Sequence, residues 1–307
     1  MANTAYRKAY IVTGPTSGIG RATALEVAKH GTVILVGRDR KKLDELQNII
    51  EKKGQRAVSI VCDLSNIESV KSAAKEIIGL NLPVAGLLNN AGIMQMRAAT
   101  KNPLGWDMTF ATNHLGPFAF TEALIPQLSD GTNVVFVVSA VEDPERKPAV
   151  AAGFRGSRFI SVAASARGSW QPGGSRKQGF DAYATSKQAI LTAALAFARE
   201  TPRLHFQAVE PGLNVTTGLG NATGLVLFLQ KFIFPALVPL LKPLVKILST
   251  PKQAARVITN IMTDTSGKTG IYYNENGLPM QGSAQVRDAE FQDRVTAETR
   301  AFLKPVL

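Results

Sequence analysis

Tyr183 and Lys187, four residues apart in FDAYATSKQAI, share one face of any helix built from that segment. A phenol with an ordinary pKa of about 10 is a poor proton donor or acceptor at neutral pH, but an adjacent ammonium favours the phenolate. The pair could then move a proton. On many helix surfaces the same pair does nothing, so the reading needs companions. One is Ser139, which closes the apolar run in VVFVVSAVEDP and whose hydroxyl could bond a reacting oxygen. Another is the turn in YIVTGPTSGIGRATALEVA, with Gly14, Gly18 and Gly20 ahead of a helical pattern. Such a turn offers unpaired N–H groups and a positive dipole end to a phosphate. Its first two glycines stand further apart than in the GxGxxG fingerprint, so the turn is longer.

Distant segments must meet to assemble these groups. From residue 9 to about 139, short apolar runs (AYIVT, TVILVG, AVSIV, VAGLLN, NVVFVVS) alternate with helical periodicity, as βα units around a parallel sheet do. A helix over about 40–53 would bury Leu43, Leu46, Ile49 and Ile50 and expose a charged face. After Pro144 the chain turns rich in Gly, Ser, Ala and Arg, and it stays so to about Gly179. That is too long for a plain connection and reads as an insertion covering a cleft. A helix near 181–200, a strand LHFQAVE, an apolar segment at 224–248, a helix after Pro251, a strand TGIYYN and a helix near 286–303 follow. The expected fold is a doubly wound α/β Rossmann domain over 1–307, with about seven strands, an insertion at 144–179 and an apolar substrate lid at 221–249.

The 307 residues, 45% hydrophobic and 19% charged, suffice for a large core. A single cysteine, Cys62, excludes an internal disulfide and suits a reducing compartment. The net charge of +12 raises nucleic acid or anionic lipid as a partner. The basic residues come only in twos and threes and no base-reading module is present, so no nucleic-acid partner is expected. The N-terminal residues lack the apolar core of a secretion signal, which makes a cytoplasmic location the expectation and gives the Asn214 and Asn221 sequons little weight.

Lys231, Lys242 and Lys246, with Pro235, Pro239 and Pro243, break the 224–248 segment too often for a spanning helix. A lid over the substrate is the preferred reading. Peripheral membrane contact through snorkelling lysines, and core or homo-oligomer contact, are the alternatives. Met94, Met96 and Phe180 could add apolar walls, which favours a lipophilic small-molecule substrate. At the end of the second strand, in VGRDRKK, Gly37 and Arg38 stand where NAD-binding proteins carry an acidic residue. A guanidinium suits a 2′-phosphate, so NADP(H) is favoured over NAD(H); Asp39 would oppose this if its carboxylate pointed inward.

TGPTSGIG at 13–20, NNAG at 89–92, NHLG at 113–116 and YATSK at 183–187 resemble, in order and placement, the motifs of the short-chain dehydrogenases/reductases. VEPGLNVTTG at 209–218 extends the likeness, which is strongest to the retinol-dehydrogenase and protochlorophyllide-reductase branch. The resemblance implies that Tyr183 exchanges a proton with the substrate oxygen, Lys187 lowers its pKa and holds the nicotinamide ribose, and Asn113 anchors a water in a proton relay. It further implies cofactor contacts from Gly14, Thr16, Ser17, Gly18, Ile19, Gly20, Asp63, Leu64, Asn90, Ala91, Gly92, Pro211, Gly212 and Thr216, beside Arg38, Tyr183 and Lys187. A serine after the fifth strand should complete the set.

Two serines compete for that place. In RFISVAASARG the reactive position falls on Ala164, with Ser165 one place out of register, and a one-residue slip turns a strand side chain to the other face. Ser139 instead follows Asn113 after one helix and one strand, and its strand, NVVFVV, would otherwise have no place in the sheet. Ser139 is therefore assigned. The expected activity is NADP(H)-dependent interconversion of a carbonyl and an alcohol on an apolar molecule, with no metal. Reduction of a carbon–carbon double bond and a non-catalytic NADP(H) sensor are the alternatives.

Overall fold

A computed structural model describes residues 8–95, 100–213 and 249–306. Eight strands form one sheet: β1 (Ala9–Thr13), β2 (Thr32–Gly37), β3 (Ala57–Val61), β4 (Val84–Asn89), β5 (Asn133–Val137), β6 (His205–Val209), β7 (Ile271–Tyr273) and β8 (Pro279–Met280), ordered β3-β2-β1-β4-β5-β6-β7-β8. The first seven run parallel, and β8 adds a short antiparallel edge. Strands covered on both faces need apolar side chains on both. Thus all five residues of β1 and of β5 are buried. The strand order reverses between β1 and β4, and the crevice at such a switch point is where ligands bind in open α/β sheets.

The helices form two layers. On one face lie α1 (Gly18–Val27), α2 (Arg40–Glu51) and α9 (Pro251–Met262), over a core holding Val12, Leu35, Leu43, Val135 and Ile258. On the other lie α3 (Ile67–Gly79), α5 (Gly116–Leu124) and α8 (Gln178–Glu200), over Ile34, Leu87, Val134 and Phe136. Val134 and Val135 sit in opposite layers because successive strand side chains alternate faces. Phe197 of α8 centres the second core, with ring centroids 5.1 Å from Phe118, 5.4 Å from Phe206 and 6.5 Å from Phe136.

Several elements differ from the expectations. The helix expected to start at Asn113 starts earlier, with α4 (Met108–Phe110), because Asp107 caps it by accepting from Phe110 N at 2.8 Å. Ile49 is only half-buried, at the edge of the α2 stripe. The insertion carries two short helices, α6 (Lys147–Ala151) and α7 (Val162–Ala166). The closing helix is divided into α10 (Ala284–Arg287) and α11 (Ala289–Leu303), because Asp288 is extended and caps α11 through Glu290 N.

Both α7 and α11 are tied down. Val162 N donates to Glu298 at 2.8 Å, Thr299 bonds His114 Nε2 at 2.9 Å, and Arg300 bridges Glu122 and Glu200. Met96, Asn214, Thr216, Asn221 and the 224–248 segment lie outside the described residues. Among the described residues no helix is long and apolar enough to cross a membrane. Cys62 is buried and free, its thiol pushed up to about 12 by burial.

Gly116, which opens α5, lets that helix approach the loop after β3. A Cβ there would stand 1.9 Å from the Leu64 carbonyl oxygen, whereas one on Gly79 would meet nothing within 4 Å. In urea titrations Gly116→Ala is expected to lose about 1–3 kcal/mol of stability and Gly79→Ala none; equal midpoints would contradict the close approach.

Candidate active site

At the β1 end of the crevice the turn Gly14–Gly20 is held from β4. Thr13 Oγ1 accepts from Asn90 N at 2.9 Å and Ala91 N at 3.1 Å, while Asn90 Nδ2 donates to Thr13 O at 2.9 Å and Gly14 O at 3.3 Å. Glycine is required where the two segments touch. A Cβ on Gly20 would stand 2.2 Å from Gly14 O, and one on Gly14, whose φ is +64°, 2.9 Å from Ala91 Cα. Ser17 begins α1 without a side-chain cap, and no acidic residue sits in the first turn, so the helix start faces the crevice with a positive end. Thr16 is half-buried and Ile19 buried beside it. The residues fit a dinucleotide's pyrophosphate.

Farther along the edge, Arg38 is exposed at the end of β2. Asp39 is engaged by the first turn of α2: it caps that helix through Lys42 N at 3.2 Å and pairs with Lys42 Nζ at 2.9 Å. These bonds hold its carboxyl below the usual range. Asp63 is half-buried, with Oδ1 accepting from Ser65 N at 2.9 Å and Ser65 Oγ at 2.8 Å. Leu64 is different, since its side chain joins the core.

The proton-moving groups meet where α8 passes the ends of β4, β5 and β6. Lys187 Nζ donates to Val137 O at 2.8 Å and lies 5.7 Å from the centroid of the Tyr183 ring. A π-helical turn, Ala111–Leu115, interrupts the helix at Asn113. There Asn113 Oδ1 accepts from Ile93 N at 2.8 Å, and Nδ2 donates to Ile93 O at 2.9 Å and Ser186 Oγ at 3.0 Å. Gly92 lies between: its added Cβ would be 3.2 Å from Asn113 Oδ1 and 3.5 Å from Lys187 Nζ. Ser139 follows β5, near enough to Tyr183 for its hydroxyl to favour the phenolate. Asn113, Ser139, Tyr183 and Lys187 are thus brought together.

Ser165 is placed elsewhere. Its segment is helix α7, not a strand; the side chain is fully buried without a hydrogen-bond partner, on an element packed toward α11.

The electrostatics depart from the simple tyrosine–lysine expectation. Burial and then the nearby Glu210 push the Tyr183 phenol above its ordinary value, and the Ser139 hydroxyl only partly opposes them. Burial lowers the Lys187 ammonium to about 8, against the pull of Glu210. Glu210, 9% exposed just after β6, was missed as a site residue: a glutamate at a strand end reads as surface, and only its place before Pro211-Gly212 signalled otherwise. Phe154 of the insertion was also missed. It stacks on Phe180 at 4.0 Å and lies 6.4 Å from the Tyr183 ring, and Met94 packs against the same cluster.

A sequence profile described as short chain dehydrogenase matches residues 8–151. Residues 8–151 thus carry the sequence pattern of the short-chain dehydrogenase/reductase family. Its relatives include polyprenol dehydrogenase of Mus musculus, 38% identical over 42% of this chain and 41% of the other, and retinol dehydrogenase 13 of Homo sapiens, 37% identical over 39% and 37%. Dehydrogenase/reductase SDR family member 12 of Bos taurus is 32% identical over 69% of this chain and 62% of its own. The chain spans about half the length of the curated relatives it matches. Among solved structures, a short chain dehydrogenase of Burkholderia cenocepacia in complex with NADP superposes with a TM-score of 0.64 and 20% identity, covering 90% of this chain and 98% of the other. Blue fluorescent protein from a metagenomic library, in complex with NADPH, gives a TM-score of 0.63 at 21% identity over 90% and 98%. These likenesses extend the family's fold over residues that the profile does not reach.

If the site turns over a substrate, Ser139→Ala should lower the rate about a hundredfold or more and Ser165→Ala should leave it near wild type. Steady-state rates of the two variants decide the assignment. Lys187 supplies a stability test. Its folded pKa of about 8 lies below the ordinary 10.5, so the buried ammonium destabilises the fold fully below pH 8, and that penalty fades as pH rises to 10.5. Measured against Lys187→Met at each pH, the wild-type thermal midpoint is therefore expected to gain between about pH 8 and pH 10.5. A wild type that loses ground to the variant over that interval would contradict it.

Proposed function

We propose that the chain is an NADP(H)-dependent oxidoreductase that interconverts a carbonyl and an alcohol on an apolar small molecule, with Tyr183 as the proton partner. The observation that carries this reading is the convergence of the Ser139 hydroxyl, the Tyr183 phenol and the Lys187 ammonium beside the Gly92–Asn113 contact. Gly14 to Gly20 and the start of α1 would hold the pyrophosphate. Asn90, Ala91 and Gly92 would line the crevice, and Pro211 and Gly212 would close its far side. NADP(H), when bound, supplies or accepts a hydride.

Tyr183 would give a proton to the substrate oxygen in reduction and take it back in oxidation, while Ser139 hydrogen-bonds the same oxygen. Both amide hydrogens of Asn113 are committed to Ile93 and Ser186, so a relay water would be held by its oxygens. NADP(H) over NAD(H) is supported by the exposed Arg38 and by Asp39, which is neutralised on its own helix. Phe154, Phe180 and Met94 beside Tyr183 favour a lipophilic substrate, with the 221–249 lid as a further wall.

Titration with NADPH and NADH, followed by a panel of apolar carbonyls and alcohols, tests the proposal. NADPH should bind more tightly, and Arg38→Ala should weaken NADPH, but not NADH, on the order of ten- to a hundredfold. Tyr183→Phe should lower kcat on the order of 10²- to 10⁴-fold. Tight NADPH binding with no turnover across the panel would favour a sensor instead.

A further inference from the structure

Of the 35 basic and 23 acidic residues in the chain, seven basic and no acidic ones fall between Arg146 and Phe180, so the insertion carries +7 of the net charge of +12. They are Arg146, Lys147, Arg155, Arg158, Arg167, Arg176 and Lys177. Elsewhere cations stand beside carboxylates: Lys29 pairs with Glu26, Lys71 with Glu68, Arg203 with Asp130, and Arg300 with two glutamates. In the insertion, Lys147, Arg155, Arg158, Arg167, Arg176 and Lys177 make no ion pair among the described residues. Arg155 and Arg158 turn instead to carbonyl oxygens, of Phe154 at 2.8 Å and Gly173 at 2.6 Å, and Arg146 acts on the buried Glu210.

The two halves of the insertion are folded against each other. Gln171 N donates to Arg158 O at 3.0 Å, Phe154 stacks on Phe180 with centroids 4.0 Å apart, and Lys177 Nζ stands 5.1 Å from the centre of the Phe180 ring. Helix α6 joins the same stack through Ala149. Lys147, Arg155, Arg176 and Lys177, all exposed, are thereby gathered around one aromatic pair. Val150, on the same face of α6 as Lys147, is exposed among them, and its carbonyl accepts from Arg155 Nη1 at 3.4 Å. On its inner side the stack reaches the site, because the Phe154 ring lies 6.4 Å from that of Tyr183.

We propose that this surface of the insertion docks the chain on a lipid bilayer with anionic headgroups, and so brings the aromatic wall of the Tyr183 site to the membrane. Cations this close lie within a screening length of about 10 Å and repel one another, and with no carboxylate among them the relief has to come from outside the segment. An anionic surface supplies it, and Val150 gains by entering the headgroup layer. A nucleic acid fits less well: Phe154, Phe159 and Phe180 are buried and Trp170 is half-buried, which leaves no open ring on which bases would stack. The docking does not depend on turnover and is read in binding alone.

Sedimentation of the full-length chain with vesicles of phosphatidylcholine, alone or mixed with phosphatidylserine, tests this. The chain should bind the mixed vesicles and not the neutral ones, and added salt should release it. Changing Lys147, Arg176 and Lys177 together to Gln should weaken that binding on the order of a hundredfold, at about fivefold per residue. Changing Lys41, Lys52 and Lys53 together to Gln removes the same charge from the exposed face of α2 and should leave binding near wild type. Circular dichroism checks that each variant is folded; should the triple variant fail, Lys147→Gln with Arg176→Gln replaces it, with a loss of about twenty-five-fold on the same scale. Equal binding to both kinds of vesicle, binding to neither, or equal losses in the two triple variants overturns the proposal. Retention of single-stranded RNA on a filter without vesicle binding also overturns it, and makes the partner a nucleic acid. Vesicle binding that follows the insertion charges in a protein with no turnover supports the docking and counts only against the oxidoreductase reading.

Discussion

Burying a polar side chain is costly unless something bonds it, and on α8 this constraint helps to place the site. Ser186, Lys187 and Gln188 are all buried there beside Tyr183, and each of the three is bonded to a different part of the chain: Asn113, the end of β5 and the Ser283 region before α10. Leaving one such group unpaired costs about 1–3 kcal/mol, so α8 cannot slide or rotate without losing several bonds together. Phe197, two to three turns farther along, locks the same helix into the aromatic core. Packing fixes the helix, and the helix carries the phenol and the ammonium to fixed positions.

The crevice obeys a different constraint, close approach of backbones. Gly14, Gly20, Gly92 and Gly116 each stand where a Cβ would meet neighbouring atoms at 3.2 Å or less. Through these contacts the first βα turn rests on the β4 exit, and α5 rests on the loop after β3 that carries Asp63. Asn90 and Thr13 fasten the first contact with hydrogen bonds, and the π-helical turn with the Asn113–Ile93 pair fastens the next segment.

What could be read from the sequence was what is local. The seven parallel strands, the glycine turn, NNAG and the Tyr183–Lys187 spacing are short patterns, and each falls where its period or turn chemistry puts it. Ser139 required counting elements, because the 144–179 insertion separates it from Tyr183, and the argument that NVVFVV needed a place in the sheet holds in β5. The rest depended on long-range packing. Apart from the place before Pro211-Gly212, nothing in VEPG distinguishes a glutamate at the surface from a buried one that binds Ala140 N. A lone Phe154 in a Gly- and Arg-rich stretch gives no period, and the turn at Asn113 interrupts a helical pattern without altering its composition. The role of Asp39 was open because a residue that can face a phosphate can also cap a helix, and only the position of Lys42 resolves it.

The sign of the Tyr183 shift follows from counting charges in the buried site. A tyrosine beside a lysine should ionise more easily when the ammonium is the only charge nearby. Here Glu210 acts on both residues, opposing the fall that burial imposes on the Lys187 pKa and adding to the rise that burial imposes on the phenol. One ammonium, one carboxylate and a neutral phenol sum to no net charge, which is the arrangement a low-dielectric pocket tolerates best. Ionising the phenol would leave a net negative site, so burial and Glu210 act in the same direction against it. Burial first and the Glu210 carboxylate second therefore set the direction of the Tyr183 shift, rather than attraction of the phenolate to the ammonium.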